Sequence, residues 1–375
     1  MIREEPGARG HGVNAWIVTD VLRPAMSCAV ECEIVTLHVP GAAADHVGAL
    51  VDPLLVSGVP TYLWWMDTPP FGRSELHEAL RVCDAMVFDS ARFDEPYHAF
   101  RGLSKMVTIA QRRLGLADLH WSRMRPLRET IAQFFMPFDR REFLSGISEV
   151  GIDYAGQGRG NRIAAAYTTG WMASALGWKL KRAAAGAGGV VAAHYAAPTR
   201  SVEVNFRSVP KEHLASGELS AIRIAGTSRG TTFRLSIQRD PDRQRGSASN
   251  AGYRSLHPTG GEDDAGLELT KRLAQRHREV LQENLDSLHH TSSGNPPGES
   301  RPRQPMVFTR ERRRRDTAQV LLTMIEIGDT PPLRHVQQVE PEDEAPLLLD
   351  LLATGTHDAV FNRSLLAAFD LMRRI

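Results

Sequence analysis

In the first hundred residues, segments that alternate apolar with polar side chains are separated by segments of helical spacing, whereas from Ser201 to Asp240 alternating segments follow one another with no helix between them. CEIVTLHVP (Cys32 to Pro40) sets Val35, Leu37 and Val39 against Ile34, Thr36 and His38, a period of two that ends at Pro-Gly. Val47, Leu50, Val51, Leu54 and Leu55 then recur at helical spacing as far as Gly58. VPTYLWWM reads as a strand, RSELHEALRVC as a helix with Ser74 at its N-cap, and DAMVFDSARF as another strand. Strands alternating with helices imply parallel βαβ units, with helices on both faces of a sheet.

LHWSRMRPLRETIAQFF (Leu119 to Phe135) reads as a loop entering a helix, with Pro126 in the first turn and Leu127, Ile131, Phe134 and Phe135 as the apolar stripe. A Gly-rich entry leads into a long helix with Ile163, Tyr167, Trp171 and Leu176 roughly on one side. AAAGAGGVVAA suits a helix end running into a strand. SVEVNFRSV, LSAIRIAG and TTFRLSIQRD follow with no helix between them, and TSRG between the last two signals a tight hairpin. The expected fold class is therefore α/β: an N-terminal parallel-sheet, Rossmann-like domain over residues 1–150, then an α+β domain over 151–375 with an antiparallel sheet and C-terminal helices. Disordered loops are expected near 240–265 and 290–306, with an amphipathic helix between them, and the tail reads as two short helices broken at Gly355.

At 375 residues the chain exceeds a single core of typical size, and its 42% hydrophobic and 24% charged content is that of a soluble globular protein. A formal charge of +1 gives no overall field for nucleic acid or a membrane surface. The start, MIREEPGARGHG, lacks the apolar run of a signal peptide, and no stretch is long and apolar enough to span a bilayer. Three cysteines, Cys28, Cys32 and Cys83, fit a reducing compartment, so a cytoplasmic protein without membrane partners is expected.

No catalytic constellation emerges. There is no H-E-x-x-H, and His289-His290 has no acidic or Cys partner nearby, so no metal site is expected. Cys28 and Cys32 lack C-x-x-C spacing; a pair of small buried residues is the ordinary reading and a redox switch the sharper one. GQGRGN (Gly156 to Asn161) ends in Asn where a dinucleotide loop needs Gly, which leaves a domain connection with Asn161 capping the next helix, and no cofactor is expected. No G-x-S-x-G elbow is present. The run Arg310 to Asp316 carries no interleaved aromatics, so it reads as a solvated face and nucleic acid is not an expected partner.

What remains is positional. In an open parallel sheet, ligands and partners meet the crevice beyond the carboxyl ends of the strands. WWMDTPPF and VFDSARF are two such ends, and they would gather Asp67, Asp89, Ser90 and Arg92 on one rim. Capping of the next helix by Asp89-Ser90, and a strand stop at Pro69-Pro70, are the structural alternatives. The rim leaves open an enzyme or sensor that binds a sugar phosphate or nucleotide around Asp67 and Asp89.

VPTYLWWMDTPPF, VFDSARF, LADLHWSRMRPLRETIAQFF and TTGWMASALGW stand in the order found in OpcA, and over most of its length the chain resembles that glucose-6-phosphate dehydrogenase assembly family. Met1 is expected to fall partway into the family's N-terminal domain, and Leu127 stands where the family more usually carries Trp. The resemblance implies a non-enzymatic protein that binds glucose-6-phosphate dehydrogenase, promotes its active oligomer and so supports the oxidative pentose phosphate pathway. It also implies a redox link that only Cys28, Cys32 or Cys83 could carry here. Trp and Arg dominate protein–protein hot spots. The candidate contacts are therefore Trp64, Trp65, Asp67, Asp89, Arg92, Trp121, Arg123 and Arg128, with none of them catalytic.

Overall fold

The structure, a computed structural model, describes residues 2–3, 13–22, 30–39, 46–93, 95–110, 114–156, 161–186, 189–239, 319–339, 344–354 and 357–375. Strands β1 (Ile2–Arg3), β2 (Asn14–Leu22) and β3 (Val30–His38) make a small sheet in the order β1-β3-β2. Leu37 and Val39 bury against Leu50 and Val51 at helix α1 (Val47–Val51). Strands β4 (Tyr62–Trp64), β5 (Ala85–Phe88) and β6 (Gly115–Asp118) form a parallel sheet in that order. Helices α2 (Ser74–Arg81) and α3 (Pro96–Ala110) are its crossovers.

Every residue of β5 and β6 is buried, which is why both strands read as near-continuous apolar runs. Alternation divides them between two covers. Met86, Phe88 and Leu116 enter the main core, whereas Val87 and Ala117 pack on Leu347 and Leu351 of α8 (Glu344–Thr354).

Helices α4 (Leu119–Arg123), α5 (Arg125–Phe135) and α6 (Phe143–Gly146) lead into a second, eight-stranded sheet. Its strands are β7 (Ile147–Ala155), β8 (Lys179–Ala185), β9 (Val191–Ala196), β10 (Ser201–Val209), β11 (Leu219–Ser228), β12 (Thr231–Arg239), β13 (Gln319–Ile327) and β14 (Leu333–Val339). The order is β14-β13-β12-β11-β7-β10-β9-β8, antiparallel except for the parallel pair β7 and β10. That pair makes the sheet mixed: helix α7 (Ile163–Leu176) and the β8–β9 hairpin give the chain length enough to return in the same direction. Helix α9 (Ala359–Met372) lies across α7, where Gly170 meets the backbone of Ser364 and Ala368.

The α/β class holds, with the small parallel sheet preceding the larger one. The expected boundary at residue 150 falls inside β7. TSRG closes the β11–β12 hairpin as a two-residue turn between Ser228 and Thr231, with Arg229 at φ 47° and Gly230 at φ 82°, the left-handed pair that matches strand twist.

Several elements differ from their sequence reading. Ala183–Ala185 end β8 and Val191–Ala193 begin β9, in place of the expected helix end; small alanines fit either state, and pairing with β9 decides. LHWSR forms α4, not a loop, and α2 begins at Ser74 with Arg73 at its N-cap. Helix α7 is buried on all sides from Ile163 to Gly170, so its stripe is no guide to one face. The loops near 240–265 and 290–306, the helix between them, Arg310 to Asp316, Cys28 and Gly355 lie outside the described residues.

Candidate functional site

The carboxyl ends of β5 and β6 carry one acid each. Asp118 is the last residue of β6 and pairs in register with Phe88, so Asp89 stands one step beyond it on the neighbouring strand. Asp89 caps the 3₁₀ turn Ser90–Arg92, its Oδ1 accepting from the Ala91 amide at 3.1 Å. Asp118 Oδ1 accepts from the His120 amide at 2.9 Å, capping α4, and from the Ser90 amide at 3.0 Å, tying the two strand ends together. The cap at this corner is thus Asp89, and Ser90 is free for a different bond: its hydroxyl lies 3.1 Å from His120 Nδ1.

The other half of the chain seals this corner. Tyr167 of α7 donates its hydroxyl to Asp118 Oδ2 at 2.7 Å. The N-cap of α7 is Arg162 rather than Asn161; Asn161, one residue earlier, accepts from the Ile163 amide at 3.0 Å, while its amide nitrogen donates to the Ser90 and Ala91 carbonyls. Arg123 grips Asp89 through both oxygens, and Arg92 adds a second guanidinium at 3.4 Å while also pairing with Glu344.

Burial sets the electrostatics. It pushes the Asp118 carboxyl up to about 6, with help from the Asp89 charge. It pushes the His120 imidazole down to about 4. For Asp89 burial also acts upward, but the hydrogen bonds and charge of Arg123 prevail and hold it below the usual carboxylate range. Replacing Asp89 by alanine therefore strands Arg123 in a half-buried site, and a loss of about 3 kcal/mol in urea denaturation is expected. A loss under about 1 kcal/mol would show the pair to be surface-like.

The proposed contacts separate into two groups. Alternation sends Trp65 inward against the main core and leaves Trp64 37% exposed, between exposed Tyr62 and Met66. Asp67 is exposed beside them, whereas Asp89 is buried, so the two acids do not share an open rim. Trp121, expected as an exposed contact, is 5% exposed. Its ring packs on Tyr167 and Phe361, its indole N–H donates to Asp358 Oδ2 at 3.2 Å, and the Arg128 guanidinium lies 3.6 Å from its centroid. A Trp in a sequence shows its size and not which way the core lies, and here α9 and α7 arrive to cover it. Arg92, Arg123 and Arg128 are each half-buried and engaged within the chain.

Sequence reasoning passed over Asp118, His120, Tyr167 and Asp358. A signal for the first was present: an apolar run ending in Asp occurs in both VFDS and LADLH. The hydroxyl of Tyr167 gave none, because on a helix its ring is indistinguishable from a core aromatic. Among the described residues no three His, Cys, Asp or Glu side chains gather to hold a metal. No described helix is long and apolar enough to cross a membrane. Cys32 lies on β3; Cys83 donates its thiol to the Ala79 carbonyl, and burial, then Asp84, pushes it up to about 11, which keeps it an unreactive thiol.

These features define an α/β protein whose short parallel sheet is closed at its carboxyl rim by a polar cluster bonded to itself. The family model described as the glucose-6-phosphate dehydrogenase subunit N-terminal domain matches residues 1–105, and that for the C-terminal domain matches residues 114–365. The chain belongs to the OpcA family. OpcA of Nostoc punctiforme is 29% identical over 56% of this chain and 44% of its own length. OpcA of Synechococcus elongatus is 32% identical over 43% of this chain and 34% of its own, and OpcA of Synechocystis sp. 31% over 39% and 30%. The matched stretch thus spans less than half of each of these relatives. Among solved structures, the MviM dehydrogenase of Clostridium difficile is 10% identical over 53% of this chain and 63% of its own, at a TM-score of 0.28.

Proposed function

We propose that the chain binds glucose-6-phosphate dehydrogenase and promotes its active oligomer without catalysing a reaction of its own. The observation that carries this reading is the closed state of the rim: Ser90 is fully buried against His120, and Asp89 and Asp118 are spent on internal bonds. A nucleophile and base must reach a reacting atom within hydrogen-bond distance, and these two are sealed from one. The family models named for a subunit of that dehydrogenase support the identity of the partner.

Tyr62, Trp64 and Met66 form the proposed contact. Tyr62 and Trp64 are exposed on β4, an edge strand of the parallel sheet, and Met66 is exposed just past its end, with Asp67 beside it. An aromatic anchor of this kind is the typical hot spot, whose truncation costs about 2 kcal/mol or more. Mixing the chain with the dehydrogenase of its own organism is expected to raise dehydrogenase activity and shift the oligomer to larger size on a sizing column. Trp64→Ala is expected to weaken binding by about 30-fold. Absence of binding, with no change in activity or oligomer size, would overturn the proposal, and full affinity in the variant would move the contact elsewhere.

A further inference from the structure

Beside the closed cluster lies a cavity of about 300 Å³, walled by the end of β6, helices α4 and α5, and helices α8 and α9. That is the lower end of the range for small-molecule sites. His357 is fixed at its mouth by a parallel bridge to Leu116 on the edge of β6. The polar groups of the wall fall into two kinds. Asp118 accepts from two amides and the Tyr167 hydroxyl, and Asp358 Oδ1 caps α9. Those acceptors are occupied.

Arg125 is likewise engaged, by Asp350 of α8, and the remaining polar groups face the cavity with capacity to spare. The Arg128 guanidinium makes one hydrogen bond, to the Trp121 carbonyl, and among the described residues no carboxylate forms an ion pair with it. Burial pushes it down to about 10, so it remains a cation at neutral pH. Ser122, a residue only 3% exposed, lines the cavity, and Asp358 Oδ2 holds only the Trp121 indole. Leu351 and Phe361 complete an apolar side.

We propose that this cavity binds a small hydroxylated metabolite bearing a single anionic group, a carboxylate or a phosphate ester, anchored by Arg128. A guanidinium fork matches either group in a bidentate manner. Ser122, His357 and Asp358 Oδ2 would take the hydroxyls, and Leu351 and Phe361 the carbon skeleton. Arg125 in the same wall is paired with Asp350, so Arg128 is set against the carboxylates of Asp118 and Asp358, which repel a polyanion and set the charge limit. The site is separate from the Tyr62–Trp64–Met66 surface, and the inference does not depend on the dehydrogenase.

Titration calorimetry on the chain alone tests it, with glucose 6-phosphate, gluconate, glucose, inorganic phosphate and ATP as probes. Glucose 6-phosphate or gluconate is expected to bind one per chain, about tenfold or more tighter than glucose, inorganic phosphate or ATP; which of the two wins identifies the anionic group. Arg128→Gln is expected to weaken that binding about tenfold or more. Ser122→Met, which fills the cavity and leaves every charge in place, is expected to do the same at an unchanged thermal midpoint, and it decides the matter if the arginine variant does not fold. The proposal is overturned if neither anion outcompetes glucose, if ATP or inorganic phosphate binds as tightly, or if both folded variants retain full affinity.

Discussion

Gly170→Ala is expected to destabilise the chain by about 3 kcal/mol, and Gly170→Val to prevent stable folding. A Cβ on Gly170 would lie 2.3 Å from the Ser364 carbonyl oxygen and 2.7 Å from the Ala368 amide nitrogen, both backbone atoms of α9. No side chain can rotate to relieve such an overlap, so one helix must move. In an open helix the same change would stabilise by about 1 kcal/mol, since alanine is the better helix former. The sign of the measured change therefore reports the crossing of α7 and α9 directly. Urea denaturation at constant slope is the measurement, and an alanine variant as stable as the parent would show that the helices can part at no cost. The consequence reaches the rim, because Tyr167 stands one turn before Gly170 and holds Asp118.

Asp118→Asn and His120→Asn are expected to tilt the pH dependence of stability in opposite directions. His120 titrates at about 4 in the folded chain against an ordinary 6.5, so folding disfavours its proton, and its contribution is lost as pH falls from 6.5 to 4. Asp118 titrates at about 6 against 3.8, so folding favours its proton, and its contribution grows as pH falls from 6 to 3.8. At about 1.36 kcal/mol per unit, the two shifts are worth roughly 3 kcal/mol each and nearly cancel. Removing Asp118 leaves the histidine, and the variant should lose about 3 kcal/mol relative to the parent between pH 6.5 and 4. Removing His120 leaves the acid, and that variant should gain a similar amount relative to the parent over the same interval. Asp89, whose lowered carboxyl loses stability on acidification, is present in all three; Arg123 is its main lowering cause, and the smaller contribution of His120 to it is lost in His120→Asn. Parallel stability curves for the parent and both variants would show that the cluster is solvated.

Much of this was legible in order but not in depth. The alternation in CEIVTLHVP, the TSRG hairpin, Pro126 in the first turn of α5 and the paired tail helices were all readable, because each is a local preference of backbone and side chain. Elements whose state depends on a distant neighbour were not. Lys179–Ala185 became a strand through β9. The candidate site shows the same division. WWMD and VFDS marked two strand ends correctly, yet Asp67 stays outside while Asp89 is enclosed by Arg123, Arg92 and the loop before α7.

By itself, the sequence determined the α/β class, the strand ends, and the inward turn of one of two adjacent tryptophans, since a strand has a period of two. Only the tertiary structure decided that Trp65 is the inward one, that Trp121 is buried, and that Arg128 faces a cavity without a carboxylate partner among the described residues. The reason is physical: periodicity belongs to neighbouring residues, whereas burial and charge pairing belong to whichever segments the long-range packing of α7, α8 and α9 brings across the rim.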